Sequence, residues 1–374
     1  MLSANALLAL ASTFIMVFLY FATKWRVDLK SGLILSIFDI MILWIFFNII
    51  RSILTIHGIL EWKDFLLNPY IGLSLMPTLF FLVGINLKYF SQINKILFFY
   101  FVLAWGLSLF FISHEELQIF LLMPIFYIIV TFPLQTKRNR ILTLIISVTV
   151  IITSWTNRAG IMRILISYLI VVGYYIVLKI NINKKVVNII IFCILMSPLY
   201  LLYQGVNGKN IFEITLGQNT GEYSQKNLRA DTRTFLYFEV FQDLRANKAI
   251  IFGKGMNAGY GSDSFQTFNR TVVEVGFLQI LLKTGLVGFL LYMTLIFSAI
   301  FTALRKSRNV FMKFLALLLA SYVIMFFIEN VLAYNLLNII IWLIVGMCHS
   351  EELLDLNDQE IKDLFLNTRT VKVS

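Results

Sequence analysis

Five charged residues carry the chemistry that this sequence offers. Arg229 and Arg233 open the segment around DTRTFLYFEVFQDLRAN four residues apart, close enough to share a helix face or to converge on one anion. Arginine suits phosphate because its planar guanidinium donates hydrogen bonds in pairs. Arg158 ends an apolar run in SWTNRAG, and Arg163 lies nearly two turns into the next run. An unpaired guanidinium at mid-bilayer would cost roughly 2.5 to 3.5 kcal/mol there. Glu274 stands in the apolar stretch TVVEVGFLQILLKTGLVGFLLY, a setting for a general base or for a charge partner of one of the arginines. Each has a plainer alternative. Arg229 and Arg233 could pair with Asp231, Glu222 or Glu239, or stay solvated; Arg158 and Arg163 could snorkel toward outer headgroups; Glu274 could pair with Arg270 or Lys283. Glu329, beside Asn330, is a weaker carboxylate of the same kind, and the three histidines are scattered and take no role.

The elements that must position these residues follow from spacing. Phe235, Phe238, Phe241 and Leu244 recur at three-residue steps, which predicts an amphipathic helix over 231–247 capped by Asp231 or Thr232. After it comes FGKGMNAGYGS, residues 252 to 262. Its Gly253 and Gly255 permit tight turns and close backbone approach to a ligand, although the segment lacks the Lys-Ser/Thr of a nucleotide loop and could be a surface turn. The piece 271–283 is too short to cross a bilayer. Gly285 and Gly288 should break it from the next helix, leaving a short re-entrant or interfacial helix of the kind tolerated where it lines a protein cavity.

Around these elements the chain is apolar. Hydrophobic residues make up 59 % of the sequence, the mean hydropathy is +0.83, and runs of about 17 to 25 apolar residues recur, the length that crosses a hydrocarbon core of about 30 Å. Eleven spans are read, near 4–23, 32–50, 69–87, 94–113, 117–135, 141–156, 161–178, 186–204, 285–304, 310–328 and 331–347. They lack the period-two alternation of barrel strands, and backbone groups in lipid must pair within the segment, so the fold class is all-α. One transmembrane domain covers 1–347, including a large outer loop over 205–284, and a tail follows at 348–374. That tail could form an amphipathic helix from Glu351 to Leu366, against the simpler reading of a solvated end.

Charge sets the orientation. Fourteen Lys and Arg residues follow spans one, three, five, seven and nine, against only Arg51, Lys63 and Arg158 in the opposite short loops. By the positive-inside rule the first set is cytoplasmic. The N-terminus and the long loop then face outward and the tail inward. The net charge of +11 is accounted for by cytoplasmic loops meeting anionic membrane lipid, and nucleic-acid binding is not read from it. The first apolar run carries its basic residues after it, the reverse of a secretory signal peptide, and is read as a retained span. Cys193 and Cys348 fall on opposite membrane sides, so no disulfide framework or thiolate metal site is expected, and no cofactor or metal is assigned.

In this order the motifs resemble the bacterial O-antigen and capsule polymerase family (Wzy type), which shares its architecture with the O-antigen ligases. The resemblance rests on NRAG at Asn157 to Gly160, RADTRTFLY in a long outer loop, GKG after the aromatic helix, and Glu274 followed by Gly285 and Gly288. It covers roughly Arg158 to Gly288. It implies a GT-C-like, metal-independent membrane glycosyltransferase of the bacterial cytoplasmic membrane. The substrate would be an undecaprenyl-diphosphate-linked oligosaccharide, and the partners a chain-length regulator and a flippase. By the same resemblance Arg158 and Arg233 would hold the diphosphate, with Arg229 and Arg163 as secondary contacts. Glu274 would act as base, and Tyr237 and Tyr260 could stack on sugars. The ligase relatives usually carry His where Glu274 stands, which favours polymerase over ligase. A lipid-linked oligosaccharide flippase would place its charges near mid-membrane in paired halves, whereas here they cluster at one face.

Overall fold

In the computed structural model the described residues are 33–56, 58, 62, 75–110, 115–153, 158–180, 203, 234–262, 267–327, 332 and 335–366, and they are mostly helical. The first described helix, α1, spans Leu33–Leu54. A 3-10 turn at Met76–Leu79, with proline in its first turn, leads into the short α2, Phe80–Gly84. There follow α3, Leu87–Phe110, and α4, Glu115–Val130, which contains Pro124. Next come α5, Lys137–Thr153, and α6, Arg158–Ile180. The predicted aromatic helix is α7, Thr234–Ala246. A two-stranded antiparallel hairpin, β1 at Tyr260–Ser262 and β2 at Thr267–Arg270, separates it from α8, Gly276–Lys306. The last described elements are α9, Val310–Phe326, α10, Leu336–His349, and two short helices, α11 at Glu351–Asp355 and α12 at Asp358–Leu366. The spans read at 4–23 and 186–204 lie outside the described residues.

Among the described residues, three helices are long and apolar enough to cross a membrane: α1, Leu87–Leu109 within α3, and α8. Their outward faces say what surrounds them. Ile40, Leu43, Phe47, Ile50 and Leu54 form an exposed stripe on α1, while Phe38, Met41, Ile42 and Ile45 on its other face are buried. Ile96, Phe99, Leu103 and Leu107 repeat this on α3. A helix apolar on both faces and exposed on one suits lipid, and that is the surface of a membrane protein.

At the centre lies α10. Its 14 residues rise roughly 21 Å, less than a bilayer core. Ile340, Trp342, Ile344, Val345 and Met347 are wholly buried. Nothing but protein touches them, which explains a helix hydrophobic all round. The crossing with α2 is close because both helices present glycine: a Cβ on Gly84 would lie 2.1 Å from the Leu343 carbonyl oxygen, and one on Gly346 would lie 2.2 Å from that of Phe81. Small residues at such a crossing let backbones approach. Tyr292 of α8 meets Trp342 edge-on and bonds Tyr322 of α9 through their hydroxyls at 2.9 Å.

Contacts at the two ends of the bundle use different parts of the chain. At one end α7 and the glycine-rich loop meet the C-terminal end of α1 and the C-terminal end of α9. At the other, the chain after α10 folds back. The Arg308 N–H donates to the Leu354 carbonyl, Asn309 Nδ2 to those of Leu353 and Leu356, and the Val310 N–H to Asp358 Oδ1. Leu353, Leu354 and Ile361 are buried as a result. The solvated end expected from composition is therefore corrected to a docked one: two short helices satisfy the start of α9 and cover apolar surface.

Candidate functional site

The local structure at the α7 end begins with a broken helix. The backbone of α8 leaves helical geometry at Gly285, φ 70° and ψ −171°, as the sequence predicts there; Gly288, expected to share the break, is helical and buried. A break leaves carbonyls and N–H groups unpaired, and in apolar surroundings each costs about 1–3 kcal/mol. The loop supplies the missing partners. The Lys254 and Gly255 N–H groups donate to the Leu282 and Lys283 carbonyls at 2.8 and 3.1 Å, while the Leu286 and Val287 N–H groups donate to Ile250 and Ile251 at 2.9 and 3.2 Å. Gly253 and Gly285, both at positive φ, face each other so closely that a Cβ on Gly285 would sit 2.3 Å from the Gly253 nitrogen.

Helix α1 fastens the same joint from the side. Trp44 Nε1 donates to the Thr284 carbonyl at 3.0 Å, Arg51 to the carbonyls of Phe252 and Gly253 at 3.0 and 3.1 Å, and the Met256 N–H to Ser52 Oγ at 2.6 Å. The ligand-approach role expected for Gly253 and Gly255 is thus corrected. Their close approach is to the backbone of α8 and the side chains of α1. Sequence reasoning missed Trp44, Arg51 and Ser52 altogether, because nothing local shows that a residue two hundred positions away will need a donor.

Above the joint stand the hairpin and the predicted carboxylate. Arg270 donates to Glu274 Oε1 at 2.6 Å, with both side chains partly exposed. Of Arg270 and Lys283, Glu274 meets Arg270; the buried Lys283 donates to the Ala258 carbonyl. Tyr260 pairs with Arg270 across the two strands, and Ser262 Oγ donates to Glu239 Oε2 of α7 at 2.7 Å. Burial pushes the Tyr260 phenol above its ordinary range, opposed by the neighbouring Arg270. The stacking role expected for Tyr260 and Tyr237 is corrected too: each is 1 % exposed. Tyr237 donates to the Phe327 carbonyl at 2.5 Å and its ring lies against Phe277. Rings covered by protein on both faces cannot receive a sugar, and these anchor α7 and the hairpin to the bundle.

The second feature at this end is a cleft. Arg163 of α6 lines it with Ser167, Phe126 of α4, Ser321 and Tyr322 of α9, and Leu337 of α10. Its cavity volume is about 30 Å³, so the cleft is narrow. Ser167 Oγ donates back to the Arg163 carbonyl at 2.8 Å, so the hydroxyl stays on that face. Arg163 is half-buried and directed between helices. Arg158 is the first residue of α6, and Arg229, Arg233 and Glu329 lie outside the described residues. The described residues therefore bring Glu274, Arg270 and Tyr260 together at the hairpin and set Arg163 in a cleft at the same end of the bundle. Compared with known proteins, the chain matches no family model, no curated protein and no solved structure.

Proposed function

We propose that this protein is an eleven-span membrane glycosyltransferase of GT-C-like architecture. It would transfer an undecaprenyl-diphosphate-linked glycan to the end of another lipid-linked repeat unit at the outer face of the bacterial cytoplasmic membrane. The observation that carries the reading is the cleft: an arginine on an apolar helix stands among apolar walls supplied by α4, α6, α9 and α10. The anionic head of an amphiphile at the mouth of this narrow cleft would meet that cation beside apolar walls. The segregation of contacts supports the alternating topology, because the loops counted as outer meet one another at one end and those counted as inner meet at the other.

In the reaction the bond from the anomeric carbon of the donor glycan to its diphosphate oxygen breaks, and a bond to an acceptor hydroxyl oxygen forms. Glu274 takes the hydroxyl proton. The electron pair leaves with undecaprenyl diphosphate, whose charge Arg158 and Arg233 neutralise, with Arg163 and Arg229 as further contacts. Diphosphate is already a good leaving group, so cationic side chains suffice to stabilise its departure.

The test is surface-polysaccharide length on gels in a deletion strain complemented with wild type, Arg158→Ala, Arg163→Ala, Arg233→Ala or Glu274→Gln, with membrane levels matched. The expected result is single-repeat glycan in the deletion strain and no restored ladder with the variants. Long carrier-linked polymer left unattached would make the protein a ligase, and an absence of repeat units at the outer face would make it a flippase.

A further inference from the structure

Beneath the glycine loop an ammonium group is buried without an anion from the described residues. Lys283 is 2 % exposed, and among the described residues its Nζ has no carboxylate partner and donates only to the Ala258 carbonyl. An ammonium carries three donors. Lys254 Nζ reaches the next carbonyl along, Gly259, and Asp243 Oδ2, each at 2.7 Å, so two ammonium groups meet the loop at adjacent residues and within electrostatic reach of each other. Asp243 offsets one positive charge of the two. One turn before Lys283, on the same helix face, Gln279 is 1 % exposed. Its Oε1 accepts from the Val273 N–H at 2.7 Å, which fixes the orientation of the amide. Its Nε2 is then buried with no acceptor among the described residues.

Among the described residues donors outnumber acceptors here and positive charge outnumbers negative, and both imbalances are costly away from water. We propose that Lys283, Lys254 and Gln279 bind a phosphate-type oxyanion under the loop. A tetrahedral oxyanion offers several acceptors in different directions, which suits two ammonium groups and an amide better than a monatomic ion does. Lys254 is partly exposed and marks the way in. The inference rests on this donor surplus and stands apart from the transferase reading; the phosphate could be a lipid headgroup or free in solution.

The experiment is thermal unfolding of the full-length protein in detergent, followed by tryptophan fluorescence, in inorganic phosphate against chloride at matched ionic strength. It is repeated in mixed micelles containing phosphatidic acid or phosphatidylcholine. The expected result is a rise on the order of 5 °C in wild type at about a hundredfold excess over Kd, absent in Lys283→Met. Gln279→Glu keeps the acceptor for Val273 and places a carboxylate beside Lys283; it should unfold above wild type without added anion and lose the response. A response to soluble phosphate assigns a free ion, and one to phosphatidic acid alone assigns a headgroup. If neither raises the wild-type midpoint, or both wild type and Gln279→Glu rise equally, the site does not exist. The polysaccharide ladder reads the transferase proposal separately.

Discussion

Arg163 and Lys283 are both cations on apolar helices, and the fold treats them differently. Arg163 lines a cleft between helices, whereas Lys283 is enclosed and holds a loop carbonyl. Glu274 is a third case, partly exposed and tied to Arg270. A pair that exposed is worth about 0.2–1 kcal/mol, so removing either member should leave the protein folded, and loss of function separates the roles. Glu274→Gln is expected to lower polymer formation by about a hundredfold or more, and Arg270→Ala by much less. Equal losses in the two, measured as ladder intensity at matched protein level, would reduce Glu274 to one half of a structural pair.

Among the elements, the joint between the 250–256 loop and α8 is the one on which the α7 end depends. Gly285→Ala would put a Cβ 2.3 Å from the Ile251 carbonyl oxygen at a positive φ, and such strain costs on the order of 1–3 kcal/mol before the clash is added. The expected outcome is a lower unfolding midpoint by several degrees, whereas Gly106→Ala, with open space around it, should leave the midpoint unchanged or higher. Part of this joint was legible in sequence. Gly285 within an apolar run marked a break, and the glycines of GKG marked a tight turn. That the turn would close on the break was not legible, because the four hydrogen bonds joining them link segments about thirty residues apart. Glycine spacing looks the same whether the close neighbour is a phosphate or another backbone.

For the molecule as a whole, the assignment of two ends can be checked by labelling. In a background with both native cysteines replaced, cysteines introduced at Arg245 and Gln359, both exposed in the structure, should differ: position 245 should react with an impermeant maleimide in intact cells and position 359 only after permeabilisation. Reaction of both, or of neither, before permeabilisation would break the alternating topology. Native Cys348 is wholly buried and should react only on unfolding.

Hydropathy, charge between runs and glycine placement by themselves determined that this is a helical membrane protein, where most described helices lie, and that α8 would break at Gly285. These are local, additive properties of short windows of sequence, and lipid imposes them on any chain. Only the tertiary structure decided that Tyr237 and Tyr260 are buried anchors, that α10 lies inside the protein, that the tail docks on the start of α9, and that Lys283 is enclosed beside Lys254. Each depends on which distant segments meet. An apolar residue has the same hydropathy whether it faces lipid or protein, so the pattern that placed the helices could not say what they would touch.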